Sequence, residues 1–105
     1  MVVERTPTEV AALLRRADPP ILLDVRERWE IAAASIPGAT PMPMSTIGAR
    51  LQELPADREI VVVCHHGSRS AMVAEFLATQ GRTTSNLTGG IDAWSADVDR
   101  SIPRY

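Results

Sequence analysis

A single thiol stands at the head of a run of residues suited to holding an anion. Cys64 is the only cysteine in the chain, and His65, His66, Gly67, Ser68, Arg69 and Ser70 follow it directly. The thiolate, not the thiol, is the nucleophile, and its pKa falls where positive charge and N–H groups surround it. A tight loop running from Cys64 into a helix would aim successive backbone amides at the sulfur, and the helix would add the positive end of its dipole. Gly67 permits the backbone angles such a loop requires. Arg69 adds a positive charge nearby, and one of the histidines lines the rim and tunes charge near the sulfur. A cysteine ending an apolar strand is also a common buried filler. The residues therefore leave two roles open for Cys64, inert core or reagent. The second requires an accessible sulfur that ionises near neutrality.

Other chemistry is narrowed by what the chain lacks. One cysteine makes neither an internal disulfide nor a Cys-rich zinc site. His65 and His66 are neighbours expected to point in different directions, so no metal site is expected. All 11 basic residues are arginine, which excludes a Schiff-base lysine and a Walker-A phosphate loop. The net charge of −2 argues against a nucleic-acid partner. No apolar run exceeds five residues, so no membrane-spanning helix is expected. The first residues show no secretory pattern, and together with the lone thiol this points to a reducing cytoplasm.

A second strand end offers Asp24 and Arg26, which read either as a structural ion pair or as support for the site. Glu27 and Glu30 read as solvated helix positions.

The elements that must position these groups follow from pattern. Thr6, Pro7 and Glu9 form a helix start with a capping box, and Val10, Leu13 and Leu14 share one face. Asp18-Pro19-Pro20 stops that helix. Residues 21–25 read as a short strand and residues 26–34 as helical. Residues 35–43 read as a loop, with a very short strand near 39–42. Ser45 is expected to cap a helix bearing Ile47, Leu51 and Leu54. Residues 59–64 are the clearest strand, apolar on both faces as in a parallel sheet. Residues 70–80 read as an amphipathic helix with Met72, Val73, Phe76 and Leu77 inward. Residues 84–87 form a short strand, and Gly89-Gly90 turns into a last helix bearing Ile91, Trp94 and Val98. Residues 100–105 read as a surface tail. Alternating strands and helices imply one α/β domain over residues 1–105, with an open, mostly parallel sheet and helices on both faces. In such a sheet, reactive groups gather beyond the carboxyl ends of the strands.

Four segments in order resemble the rhodanese family over nearly the whole chain. These are Leu22-Leu23-Asp24-Val25-Arg26-Glu27, then Ile36-Pro37-Gly38-Ala39, then residues 64–70, then Asn86-Leu87-Thr88-Gly89-Gly90-Ile91-Asp92-Ala93-Trp94. The resemblance implies a five-stranded parallel sheet and a sulfurtransferase in which Cys64 carries sulfur as a persulfide. It implies that His65, His66, Gly67, Ser68 and Arg69 form the substrate loop, with Asp24, Arg26 and Ser70 in support. The donor would be thiosulfate or a persulfide, the acceptor a thiol or cyanide, and no cofactor would take part. The chain's ending is similar to that of rhodanese domains fused to adenylyltransferases, which hints at a sulfur-carrier protein as partner. Ser35 departs from the family's usual histidine before Ile36. Two other readings of such a loop are a cysteine phosphatase or arsenate reductase and a non-catalytic binding module. The first calls for Arg six residues after Cys, whereas Ser70 occupies that position here.

Overall fold

The computed structural model describes residues 2–105. Five strands, β1 (Val3–Arg5), β2 (Ile21–Asp24), β3 (Thr40–Pro41), β4 (Ile60–Val63) and β5 (Thr84–Leu87), form one sheet in the order β1-β5-β4-β2-β3. Every pairing is parallel. Four helices, α1 (Pro7–Leu14), α2 (Arg28–Ala33), α3 (Ser68–Thr79) and α4 (Gly90–Asp97), connect and cover the strands.

The central strand explains the layers. Ile60, Val62 and Cys64 face one way, with Val73, Ala74 and Leu77 of α3 packed on them. Val61 and Val63 face the other, against Val10 of α1 and Ile91 and Trp94 of α4. Two buried faces leave no polar position on this strand, so its sequence reads as unbroken apolar residues.

The capping box at Thr6 forms as expected, with Thr6 and Glu9 each accepting the other's backbone N–H. β1 has no counterpart among the strands read from the sequence. It is three residues long, lies at the sheet edge and is mostly exposed, so little hydrophobic pattern marks it.

Three expectations need correction. Residues 44–54 do not form an α-helix. They make two 3-10 turns, Met44–Thr46 and Leu51–Glu53, and Ser45 lies inside the first rather than capping it. Pro43 precedes the first turn and Gly48 lies between the two, and neither residue type favours a continuous helix. Ile47 and Leu54 reach the core all the same.

The second correction is the face of α3. Ser70, Val73, Ala74 and Leu77 point inward, while Met72 is 63% and Phe76 41% exposed. The helix starts at Ser68, two residues earlier than its apolar pattern suggests. Its rotation turns Ser70 toward the sulfur, and the small side chains of Ser70 and Ala74 line the buried face. Apolarity alone points to the wider residues and misses this.

The third is the tail. Ile102 is buried in the second core cluster, and its carbonyl accepts from the Ser95 hydroxyl at 2.6 Å. Tyr105 is half-buried and returns to the loop that follows Cys64.

Candidate functional site

The carboxyl ends of β2 and β4 lie side by side, with Asp24 in register with Val63. Cys64 is the first residue beyond β4. The chain then needs only His65, His66 and Gly67 before α3 begins. Gly67 holds φ at +109° at the N-cap of α3, a conformation open to glycine and strained for other residues.

Two backbone carbonyls at the loop root are taken by the last helix. The amide of Ile91 donates to the Cys64 carbonyl at 2.9 Å, and that of Asp92 to the His65 carbonyl at 3.1 Å. Gly90 makes this approach possible, because a Cβ there would collide with both carbonyl oxygens. With these acceptors held by α4, the loop amides remain for the sulfur. Gly67 N–H donates to Sγ at 3.1 Å, and the Ser70 hydroxyl lies 3.3 Å from it. Burial pushes the Cys64 thiol up, but the Ser70 hydroxyl and the amides of Ser70, Gly67 and His66 outweigh it, and the thiol lies below its ordinary value.

The sulfur is set deeper than its sequence context suggests. Cys64 is 1% exposed, so the accessible sulfur expected from the sequence is not found: the thiol lies buried beneath the loop that follows it. The same helix rotation that brings Ser70 to the sulfur packs α3 over the strand end.

Asn86 was not among the expected site residues. It is buried on β5, and its amide nitrogen donates to the Gly67 carbonyl at 3.1 Å and to Glu4 at 3.1 Å. Its oxygen accepts from the Ser70 hydroxyl. The signal was available: Thr84, Ser85 and Asn86 are consecutive polar residues in a strand of the interior, and buried polar groups need partners.

Asp24 and Arg26 form a fully buried pair, with Arg26 Nη2 2.7 Å from Asp24 Oδ2. Arg26 also donates to the carbonyls of Glu30 and Ala34 at the end of α2, at 3.3 and 2.7 Å, and to the Tyr105 hydroxyl at 2.8 Å. Desolvation alone would lower the Arg26 pKa, but Asp24 and Tyr105 outweigh it and raise the value. The pair fixes where α2 leaves the rim.

Glu30 corrects another expectation. It is buried, and both its oxygens accept from Arg69, at 2.6 and 2.8 Å. Tyr105 donates its hydroxyl proton to the same carboxylate at 2.7 Å. Arg69 foremost, opposed by burial and helped by Tyr105, holds the Glu30 carboxyl down at about 2. Arg69 in turn is raised by Glu30 and, more weakly, by the Coulombic influence of Cys64. Glu27 is exposed, as expected of a solvated position.

His65 and His66 do not diverge. Their rings stack with centroids 3.9 Å apart, and Tyr105 stacks on the other face of His65 at 4.0 Å. Trp29 meets Tyr105 edge-on at 6.0 Å, so four rings run along the rim. His65, His66 and Asp92 bring ligand-type atoms within 4.8 Å of one another. Stacked imidazole planes do not converge their lone pairs on one ion, and the Asp92 carboxylate is held by Arg104 at 2.9 Å through both oxygens. Ser68 is exposed at the first position of α3, and Ser35 is exposed on the loop after α2.

These features accompany a clear likeness to known proteins. Residues 6–97 match the rhodanese-like domain family. The chain belongs to this family. It is 38% identical to a sulfurtransferase of Allochromatium vinosum over 96 residues, covering 90% of each chain. Among solved structures it resembles a rhodanese-like domain protein from Staphylococcus aureus, with a TM-score of 0.87, 32% identity and 99% of both chains covered. It also resembles the human single-domain sulfurtransferase TSTD1, with a TM-score of 0.84, 26% identity and coverage of 92% of this chain and 98% of that one. The rhodanese fold and relatives of this kind support sulfur transfer as the class of activity. Among the described residues no helix is long and apolar enough to cross a membrane.

Proposed function

We propose that this rhodanese-like domain transfers a sulfane sulfur by double displacement through a persulfide on Cys64. The observation that carries the reading is the donor set around the sulfur: Gly67 N–H at 3.1 Å and the Ser70 hydroxyl at 3.3 Å, at the end of a buried parallel strand. The Cys64 thiolate attacks the outer sulfur of thiosulfate or of a thiol persulfide. The S–S bond of the donor breaks, and sulfite or a thiolate leaves with the electron pair. The outer sulfur then sits where loop amides hold its negative charge, as an oxyanion hole holds an alkoxide. A thiol, cyanide or a sulfur-carrier protein takes that sulfur and regenerates the thiolate. No cofactor enters the scheme.

His65, His66, Gly67, Ser68 and Arg69 form the loop in this reading, while Ser70, Asp24 and Arg26 hold it in place. Phosphoryl transfer fits less well, because the Arg69 fork faces Glu30 and a phosphoryl group needs such a fork for its oxygens. A purely binding role leaves the donor set around Cys64 without a purpose.

Mass spectrometry of the protein after treatment with thiosulfate or a persulfide, then removal of excess donor, is expected to show one added sulfur atom on Cys64. Adding cyanide should release it as thiocyanate. A Cys64→Ser protein that forms thiocyanate as fast as the parent would overturn the proposal.

A further inference from the structure

Three guanidiniums are tied into the surroundings of Cys64, and a carboxylate holds each of them. Arg26 lies fully buried on Asp24, Arg104 pairs with Asp92 beside the histidines, and Arg69 pairs with Glu30. Arg69 is the one that matters for substrate, since it sits in the first turn of α3, directly after the loop, where it feels the charge of the sulfur. Its Nη1 and Nη2 both point at Glu30, at 2.6 and 2.8 Å. A guanidinium recognises an oxyanion through this same two-pronged geometry, so the fork is already filled.

Glu30 is also held where it is. Its Oε1 accepts the Glu27 amide at 3.0 Å, its Oε2 accepts the Tyr105 hydroxyl at 2.7 Å, and Tyr105 is held by Arg26 and stacks on His65. The clamp is built from α2, the loop after β2 and the chain's last residue. It is not a swing of a free surface side chain.

We propose that Glu30 is a specificity-determining residue: by occupying the Arg69 fork it leaves the sulfur without a free cation for a dianionic donor, and so favours thiol persulfides over thiosulfate. This rests on the sulfur-transfer reading above. The two donors differ in the charge they bring. With thiosulfate, Cys–S⁻ and S–SO₃²⁻ become Cys–S–S⁻ and SO₃²⁻, so two negative charges approach a thiolate and remain on the leaving sulfite. With a thiol persulfide, Cys–S⁻ and RS–SH become Cys–S–SH and RS⁻, and the leaving group bears one charge at most. Backbone amides suit the second without help, whereas the first calls for a free cation at the sulfonate.

The test measures kcat/KM for thiosulfate and for a small-molecule thiol persulfide. In parallel it measures alkylation rates of Cys64 by iodoacetate and iodoacetamide, an anion and its neutral isostere. All rates are measured at pH 8.5. The parent protein is expected to favour the persulfide and to react more slowly with iodoacetate than with iodoacetamide. Glu30→Gln keeps an acceptor for the Glu27 amide and releases the Arg69 charge. It is expected to raise the thiosulfate-to-persulfide ratio, and the iodoacetate-to-iodoacetamide ratio, each by about tenfold.

Salt supplies a measurement on the parent alone, which stands even where the variant fails to fold. With no free cation at the sulfur, added salt screens anion–anion repulsion and raises the iodoacetate-to-iodoacetamide ratio. A ratio that falls with salt would overturn the assignment, as would unchanged ratios in a folded Glu30→Gln protein that still transfers sulfur. Shifted alkylation ratios with no transfer from either donor would instead sink the sulfur-transfer reading and leave the charge assignment in place.

Discussion

The Ser70 hydroxyl has one proton and two acceptors within reach, the Asn86 oxygen and the Cys64 sulfur. Asn86 is oriented by its own donors, which face Glu4 and the Gly67 carbonyl, so its oxygen stays toward Ser70. When Cys64 is ionised, Ser70 is one of the groups that stabilises the charge. Losing a donor to the charged form raises a thiol's pKa. Ser70→Ala is therefore expected to move the pH midpoint of iodoacetamide alkylation upward. The rate at pH 7 should fall by roughly 3- to 10-fold while the high-pH plateau is kept. An unmoved midpoint would remove Ser70 from the account. At this scale the sequence marked Cys64 and the loop directly. The family resemblance marks Ser70 as a supporting residue, but its contact with the sulfur was not legible, since nothing in a linear chain says which way a side chain on the first turn of a helix will face. Glu30 read as solvated because a carboxylate on a short amphipathic segment usually is, and its partners lie 39 and 75 residues away.

Elements meet most tightly where α4 begins. Gly90 has φ +63° and lies against the carbonyls of Cys64 and His65, while the next two amides of the helix bind those carbonyls. A methyl group at this position meets backbone, which has no rotamer to yield. Gly90→Ala is expected to destabilise the fold by about 2–4 kcal/mol and to reduce sulfur transfer further, by displacing the loop root. Urea unfolding and thiocyanate formation measure the two separately, and a variant equal to the parent in both would contradict the packing argument. The Gly89-Gly90 pair was readable as a turn into a helix. That the second glycine is also a contact surface for the loop 25 residues earlier was not, because only the parallel pairing of β4 with β5 brings the two strand ends together.

Across the molecule, the Glu30 cluster joins α2, α3 and the C-terminal residue into one charged network, so its protonation bears on global stability. The folded carboxyl lies at about 2 against an ordinary 4.5. A folded-state value below the unfolded one adds stability above the ordinary pKa, and that stability is lost as pH falls from about 4.5 toward 2. Arg69 is partly exposed, so screening trims the gain to roughly 1–2 kcal/mol. The urea midpoint is expected to drop over this window, and Glu30→Gln should show a visibly shallower drop. Equal slopes in the two proteins would mean that other carboxylates carry the acid transition.

Local pattern by itself determined the α/β alternation, the buried central strand and the capping box at Thr6, and it singled out the residues after Cys64 as a candidate loop. Each of these is written within a dozen neighbouring residues as periodicity, capping chemistry or a run of residue types. Tertiary structure alone decided that β1 closes the sheet edge, that α3 turns Met72 and Phe76 outward, that the sulfur is buried, and that Tyr105 and Glu30 pack beside the loop after Cys64. Those outcomes depend on which distant groups pack or pair, and burial reverses the usual preference of a carboxylate or a tail for water only when a partner from elsewhere in the fold arrives to compensate it.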